Sequence, residues 1–416
     1  MVWWADVPRI VHAADIHLDS QLTGITRYAG RETADRLVSA SRRALENLVS
    51  LAVEREADAV VLAGDIYDGD WRDYATGRFF QEQMSRLHDE DIRVVVAAGN
   101  HDAESVISRS VRLPDSVTIL DADRAQTVLW EDRGMAVHGQ SFAKRAVTEN
   151  LVVAYPDRVG GLANVGVLHT AVEGAEGHDT YAPCKPGDLS ANRYEYFALG
   201  HVHARRIVND GQWVAAFPGN LQGRHIRETG PKGALVVDIE PGGRARPEFV
   251  PLDVARWASL QVDVTGRESF DDAIETVDQA LADAAAAAGT RLLVARVTTV
   301  GATTAAAELA DSERLRDAVV DAAAKWSVTV EKTGSKASVP SADTSVDPDL
   351  LTAIQHAGRD LAADPAAIEE FVRPLRAEVG RVLRKRGVDL GSPEHHTRLV
   401  EDAVASLLVR LSGGGA

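Results

Sequence analysis

The chain has 416 residues, 45% hydrophobic and 26% charged, with a formal net charge of −17 and a single cysteine, Cys184. That length predicts two or three domains with sizeable cores. The lone cysteine excludes a disulfide framework, no run of about 20 apolar residues is long enough to span a bilayer, and Met1–Arg9 lacks a signal-peptide core, so a cytoplasmic protein is expected. The acidity argues against a simple nucleic-acid binder, because phosphate backbones want Lys and Arg. A nucleic-acid substrate would need local basic patches, metal ions or a partner subunit.

From about residue 9 to 250 apolar runs alternate with helical segments. Ile10–Ala14, Ala59–Leu62, Ile92–Ala97, Val165–Leu168, Tyr196–Leu199 and Ala234–Val237 read as strands. Thr33–Arg55 and Thr76–Asp89 read as helices, with apolar residues at roughly i, i+3 and i+4. The alternation predicts an α/β layered core, whose sites gather beyond the carboxyl ends of its strands. Residues 255–333 read as a small α+β domain: strand Leu260–Val264, helix Phe270–Ala287, strand Leu292–Val300, helix Ser312–Ala324 and strand Val328–Glu331. That domain holds no cluster of catalytic residue types. Residues 334–349, rich in Ser, Pro, Thr and Asp, read as a linker.

Residues 350–412 read as all-helical. Asp364-Pro365 and Ser392-Pro393 each place an N-cap residue before a first-turn proline. Ile368, Phe371, Leu375, Val379 and Val382 form an apolar stripe, interrupted by a kink at Pro374. Arg373, Arg376, Arg381, Arg384, Lys385 and Arg386 crowd the polar side, either to contact DNA or an acidic partner or simply as a solvated face. Leu399, Ala403, Leu407 and Leu411 make a last stripe.

Five short motifs sit at strand ends: Asp15-Ile-His17, Gly64-Asp65, Gly99-Asn100-His101-Asp102, Leu168-His169 and Gly200-His201-Val-His203. Alone each is weak. A lone Asp-x-His is usually surface or packing, and a strand-end Gly-Asp is mostly a turn. Together they supply imidazole, carboxylate and amide oxygen without thiolate, a ligand set for Mn, Fe, Zn or Mg-type chemistry and for two divalent ions sharing one carboxylate. Asp15 and His17, two apart on an extended strand end, are expected on one face, as are His201 and His203. Two such ions activate water for attack on a phosphoester, and His101, beside Asn100, is placed to protonate the leaving oxygen. Asp102 either orients His101 or caps the helix that follows. Asp68 and Asp70 read as loop residues or supports for the ligands, and His12, His88, His138, His178, His225, His395 and His396 as structural or exposed. Cys184 reads as a small buried hydrophobe. Arg205, Arg206, Arg224 and Arg227 are either a phosphate-contacting rim, with Arg205 and Arg224 foremost, or ordinary solvated charge.

These motifs resemble the calcineurin-like metallophosphoesterase superfamily over about residues 9–240. The segments His12-Ala-Ala-Asp15-Ile-His17-Leu-Asp19-Ser20, Tyr181-Ala-Pro-Cys184, Pro218-Gly-Asn-Leu-Gln-Gly223-Arg-His and Glu228-Thr-Gly-Pro-Lys-Gly233 resemble its SbcD-type DNA repair nucleases, in particular the YhaO-like branch. The resemblance implies a metallophosphoesterase β-sandwich flanked by helices (9–250), a cap domain (255–333) and a helical C-terminal region (350–412) for partner docking. It implies that Asp15, His17 and His203 hold one metal, that Asn100, His169 and His201 hold the other, that Asp65 bridges both, and that His101 is the leaving-group acid. Manganese, a DNA substrate, an SMC-like ATPase partner of the SbcC/YhaN type and homodimerisation are implied in the same way. Asp68 stands where some relatives carry a second histidine. The expected function is a metal-dependent DNA exonuclease or endonuclease subunit acting in DNA repair. Its rivals are a phosphatase or cyclic-nucleotide phosphodiesterase on the same centre, and a non-enzymatic scaffold for the ATPase. The segment Gly64-Asp-Ile-Tyr-Asp-Gly-Asp70 lacks the Arg of a protein-phosphatase signature.

Overall fold

A computed structural model describes residues 7–22, 24–68, 74–104, 111–172, 181–340 and 348–384, with Ser392, Val400, Ala403, Val404 and Leu407. Asp70, His178, His395, His396, Lys385, Arg386, Leu399 and Leu411 lie outside the described residues, as do the side chains of Phe371, Leu375, Val379, Arg381, Val382 and Arg384. The chain divides into two compact units: Met1–Leu260 with Asp278–Val297 and Ala318–Thr333, and Gln261–Val277 with Thr298–Asp317 and Gly334–Ala416.

Twelve strands of the first unit are β1 (Arg9–Ala13), β2 (Ala59–Leu62), β3 (Arg93–Val96), β4 (Val117–Ile119), β5 (Gln126–Trp130), β6 (Met135–Gly139), β7 (Ala163–His169), β8 (Tyr196–Gly200), β9 (Arg206–Asp210), β10 (Val214–Phe217), β11 (Gly233–Ile239) and β12 (Ala245–Pro251). They form two six-stranded sheets, β12-β11-β1-β2-β3-β4 and β5-β6-β7-β8-β10-β9. In the first sheet β1 to β4 run parallel, and in the second β6, β7 and β8 do. The helices are α1 (Arg31–Val38), α2 (Ala40–Glu54), α3 (Tyr74–Asp89) and α4 (Pro186–Ala191).

Side-chain alternation along the strands makes the layers. Ile10, Ala59, Val61 and Val95 point between the sheets and meet Val137, Val165, Val167, Tyr196 and Ala198. Val11, Val60, Leu62, Val94 and Val96 point outward onto Leu45, Leu48 and Val49 of α2 and Phe80 and Met84 of α3. Leu168, Phe197, Leu199 and Phe217 cover the outer face of the second sheet with Leu189 and Tyr194. Strands buried on both faces read as continuous apolar runs, which is why β1, β2 and β3 stand out in the sequence. The short β4 and the strands β5 and β9, partly exposed, do not.

β13 (Ala255–Asp263), β14 (Leu292–Ala302) and β15 (Val328–Ser338) form a three-stranded sheet in that order, accompanied by α5 (Phe270–Ala288) and α6 (Ser312–Ala324). Within the first unit, Trp257, Leu292 and Val294 pack on Ile25, Leu37 and Ala40. Within the second, Arg314 lies over the Phe270 ring at 4.2 Å. Helices α7 (Pro348–Ala362) and α8 (Pro365–Arg384) follow. Asp364 caps α8 as expected, its Oδ1 accepting from Ala366 and Ala367 backbone N–H at 3.0 and 3.1 Å, and Pro374 lies inside a helix that continues past it. Among the described residues, no helix is long and apolar enough to cross a membrane.

Two expected elements differ. The helix read as Thr33–Arg55 is broken at Ser39, whose Oγ donates to the carbonyls of Asp35 (3.0 Å) and Arg36 (3.2 Å). This back-bonding competes with the helical ladder, and apolar periodicity cannot register it. The strand read as Val328–Glu331 continues to Ser338, so the start of the expected linker is strand. Its added half pairs with the neighbouring strand: Thr299 Oγ1 of β14 donates to Ser335 Oγ at 2.9 Å.

Candidate metal centre

The carboxyl ends of five parallel strands, three from one sheet and two from the other, deliver the motif residues to one place. β1 leads to Asp15 and His17, β2 to Asp65, β3 to Asn100, β7 ends on His169, and β8 leads to His201 and His203. Backbone hydrogen bonds lace the loops together: Asp15 N–H to the Gly64 carbonyl and His17 N–H to the Asp65 carbonyl, both at 3.0 Å. The His201 N–H donates to both Asp15 carboxylate oxygens at 3.1 Å.

Asp15 and His17 do not continue an extended strand, as the sequence suggests. Their φ values are 51° and 46°, with Asp65 at 53° and His201 at 102°. Left-handed backbone at non-glycine residues stores strain, here in four of the candidate ligands. Gly200 is required by space, since a Cβ there would collide with the Ala63 carbonyl. A Cβ on Gly64 would likewise strike the His169 ring.

Ligand-type atoms of Asp15, His17 and His203 lie within 4.8 Å of one another. So do those of Asp15, Asp65 and His169, and those of His17, Asp65 and His101. The His201 ring packs edge-on against His169, with centroids 5.2 Å apart. Asp15, His17, Asp65, Asn100, His169 and His201 are all buried. His101 is the more open group, with 29% of its side chain exposed.

The donor chemistry fits cations. His169 Nδ1 lies 2.9 Å from the Ala63 carbonyl, which can only accept, so Nδ1 carries the hydrogen and Nε2 presents a lone pair. That lone pair faces Asn100 Oδ1 at 3.0 Å and Asp65 Oδ2 at 3.5 Å. His203 repeats the pattern. Its Nδ1 donates to Glu228 Oε1 at 2.7 Å, turning Nε2 toward His17 Nε2 at 3.3 Å and Asp15 Oδ1 at 3.8 Å. Burial, with the Arg224 charge, holds His17 well below the ordinary imidazole range, and burial lowers His169 to about 3; both shifts favour the neutral ring. Burial and the neighbouring Asp65 charge raise the Asp15 carboxyl, and burial raises Asp65 against the pull of His101. Lone pairs and buried carboxylates facing one another repel, and a divalent cation turns that repulsion into coordination.

Residues 8–205 match the calcineurin-like phosphoesterase family, and residues 257–338 match the middle domain of the metallophosphoesterase YhaO. The chain carries a calcineurin-like metallophosphoesterase domain. It is 32% identical over 271 residues to the metallophosphoesterase YhaO of Bacillus subtilis, covering 64% of this chain and 66% of that protein. It is 25% identical to the SbcD component of the nuclease SbcCD from the same organism, over 59% of this chain and 69% of the relative. It is 28% identical to the DNA double-strand break repair protein Mre11 of Aeropyrum pernix, over 64% and 66%. The alignments thus span about two thirds of the length of these relatives.

Around this cluster, supporting residues fall partly where the sequence points. Asp102 accepts from the backbone N–H groups of Gly99 (3.0 Å), Ile66 (3.2 Å) and Tyr67 (2.9 Å), so its carboxylate staples two ligand loops together. It is Asp68 whose Oδ1 faces His101 Nδ1, at 3.4 Å, and equally His17 Nδ1, while its Oδ2 accepts from Ser20 at 2.6 Å. Arg224 reaches the same cluster, 3.5 Å from Glu228 and 3.9 Å from Asp68. Arg205 instead stacks on Phe249 of β12 at 4.3 Å. His12 is buried against the Tyr196 hydroxyl at 2.8 Å, His138 between Thr127 and Asn164, and Cys184 is buried beside Thr170.

Glu228 is the residue that sequence reasoning passes over. Besides His203 it accepts from Asn220 Nδ2 at 3.0 Å and the Arg224 N–H at 2.7 Å. Burial works to raise its carboxyl, but the His203 hydrogen bond and the Arg224 charge outweigh this and hold it below the usual range. Lys232 Nζ donates to the His203 carbonyl at 2.8 Å. The sole sequence signal for either is membership of the segment Glu228–Gly233.

Proposed function

We propose that this chain is a dinuclear metal-dependent phosphodiesterase that cleaves DNA. The observation that carries the reading is the convergence of seven imidazole, carboxylate and amide groups at the strand ends, with two sets of lone pairs facing inward. In this reading Asp15, His17 and His203 would hold one divalent ion and Asn100, His169 and His201 the other, with Asp65 shared between the two sets. Two divalent ions supply activation of the attacking water and charge stabilisation at the phosphoryl oxygens, and manganese is the proposed metal.

The protein's own part is orientation and proton transfer. Glu228 fixes the His203 tautomer, as outer-shell carboxylates do for ligating histidines. Asp68, facing Nδ1 of His101, turns Nε2 of that ring toward substrate, where it passes a proton to the leaving oxygen. His101 suits this task because its ring is partly open while its backbone N–H is pinned to Asp65 Oδ1 at 3.0 Å.

DNA as substrate is supported by the relatives named a nuclease subunit and a double-strand break repair protein, and by the YhaO-type middle domain. The same relationships support an SMC-like ATPase partner and a role in DNA repair; in this reading the C-terminal helices dock that partner. The deciding assay incubates the purified protein and Mn²⁺ with linear single- and double-stranded DNA and with a small phosphodiester. DNA degradation that disappears in Asp65→Ala and His201→Ala is the expected result. Cleavage of the small diester alone would leave the metal chemistry standing and overturn the nuclease.

A further inference from the structure

A cavity of about 300 Å³ lies in the first unit, away from the metal centre, between the α1–α2 corner and the turn before β14. That volume is at the low end for small-ligand sites. Its walls carry Arg36, Arg43 and Asn47 on one side and Asp253, Thr290 and Arg291 on the other. Asp253 is the acidic residue of this lining, and two guanidiniums already match it: Arg256 at 2.9 and 3.0 Å and Arg291 at 3.0 Å. Arg36 and Arg43 are exposed and make no ion pair or side-chain hydrogen bond among the described residues. The cavity is therefore net positive on a chain of net charge −17, where unpaired arginines facing a shared space have an anion as their natural partner.

Both walls are tied to the metal-centre loops. Arg42, next to Arg43, grips Asp19 at 2.8 and 2.5 Å, and Asp19 lies two residues beyond His17. On the other wall, Val254 N–H donates to Gln222 Oε1 at 2.9 Å, and Gln222 lies between Asn220 and Arg224.

We propose that this arginine cavity is a second phosphate-binding site, which grips the backbone of a nucleic-acid strand whose scissile bond lies in the metal centre. The inference rests on the DNA reading above and deepens it: a strongly acidic chain holds its polyanionic substrate at a local cationic notch. Small diesters, with no flanking phosphate, do not use it.

The test compares wild type, Arg36→Ala/Arg43→Ala and Arg36→Lys/Arg43→Lys. Binding of a labelled single-stranded oligonucleotide is followed by anisotropy across a salt series in EDTA, and hydrolysis of bis(p-nitrophenyl) phosphate is followed with Mn²⁺. The alanine pair is expected to weaken oligonucleotide binding about tenfold and to flatten the log affinity against log salt slope by about 1.4, at roughly 0.7 per lost single-strand contact. Small-diester turnover should hold at wild-type level, and the lysine pair should recover most of the salt slope. Unchanged oligonucleotide affinity and slope would overturn the proposal, as would an equal loss in both assays. A wild type that hydrolyses no diester sinks the metal-centre reading and leaves the binding result to be judged separately.

Discussion

The strand-end loops of the phosphoesterase domain and the region 255–338 are built on opposite terms. In the loops, charged and imidazole groups are buried together: Asp15, His17, Asp65, Asp102, His169, His201 and Glu228. Among the described residues of 255–338, the buried polar side chains are Thr299 and Thr303. Left-handed backbone follows the same division. Asp15, His17, Asp19, Asp65 and His201 adopt it in the loops, and Ser327 alone among the described non-glycine residues of 255–338. One region carries desolvated charge and left-handed backbone at its candidate ligands; the other is an ordinary apolar fold. Chemistry and stability should therefore separate under mutation.

The largest effect should come from Asp65→Ala, which removes the carboxylate shared by both proposed ligand sets. Turnover should fall below detection, and Mn²⁺ stoichiometry measured by calorimetry should drop. Next, His101→Ala should lose about 10²- to 10⁴-fold in turnover while keeping both metals; parallel metal loss would remove its assigned role. Glu228→Ala should weaken Mn²⁺ binding by about 10- to 100-fold, with Glu228→Gln intermediate because it keeps an acceptor for His203. In the other region, Leu315→Ala, at a buried position on α6, should cost about 2–5 kcal/mol in urea unfolding and leave Mn²⁺ affinity untouched. A matching loss of metal binding there would break the contrast. The smallest change should be a gain. Burial raises the Asp65 carboxyl, so folding of the metal-free protein is increasingly disfavoured as pH climbs from the ordinary carboxylate range to that raised value, and the full penalty persists above it. Asp65→Asn should then stabilise the metal-free protein at pH 7 by on the order of 1 kcal/mol, about 2–4 °C in Tm.

Much of this arrangement was legible in the residues. Strands buried on both faces announce themselves as apolar runs, and parallel strands bring their carboxyl ends, with Asp15, Asp65, Asn100, His169 and His201, to one edge. What escaped depends on distant or local geometry. Glu228 lies 25 residues from the His203 it orients, and no periodicity links them. Asp102 follows His101 in sequence yet bonds the backbone of another loop, and it is Asp68, read as a loop residue or a support for the ligands, that faces the His101 ring. The positive φ of Asp15 and His17 contradicts an extended reading that pattern alone favours. Ser39 breaks a helix through one hydroxyl, and the second half of β15 hides because its residues are small and polar.

The central claim is most directly tested by anomalous diffraction from crystals grown with Mn²⁺. The account predicts two peaks roughly 3.5–4 Å apart, one among Asp15, His17 and His203, the other among Asn100, His169 and His201, with Asp65 touching both. A map with no peak there, or with a single ion that Asp65 does not contact, would contradict it.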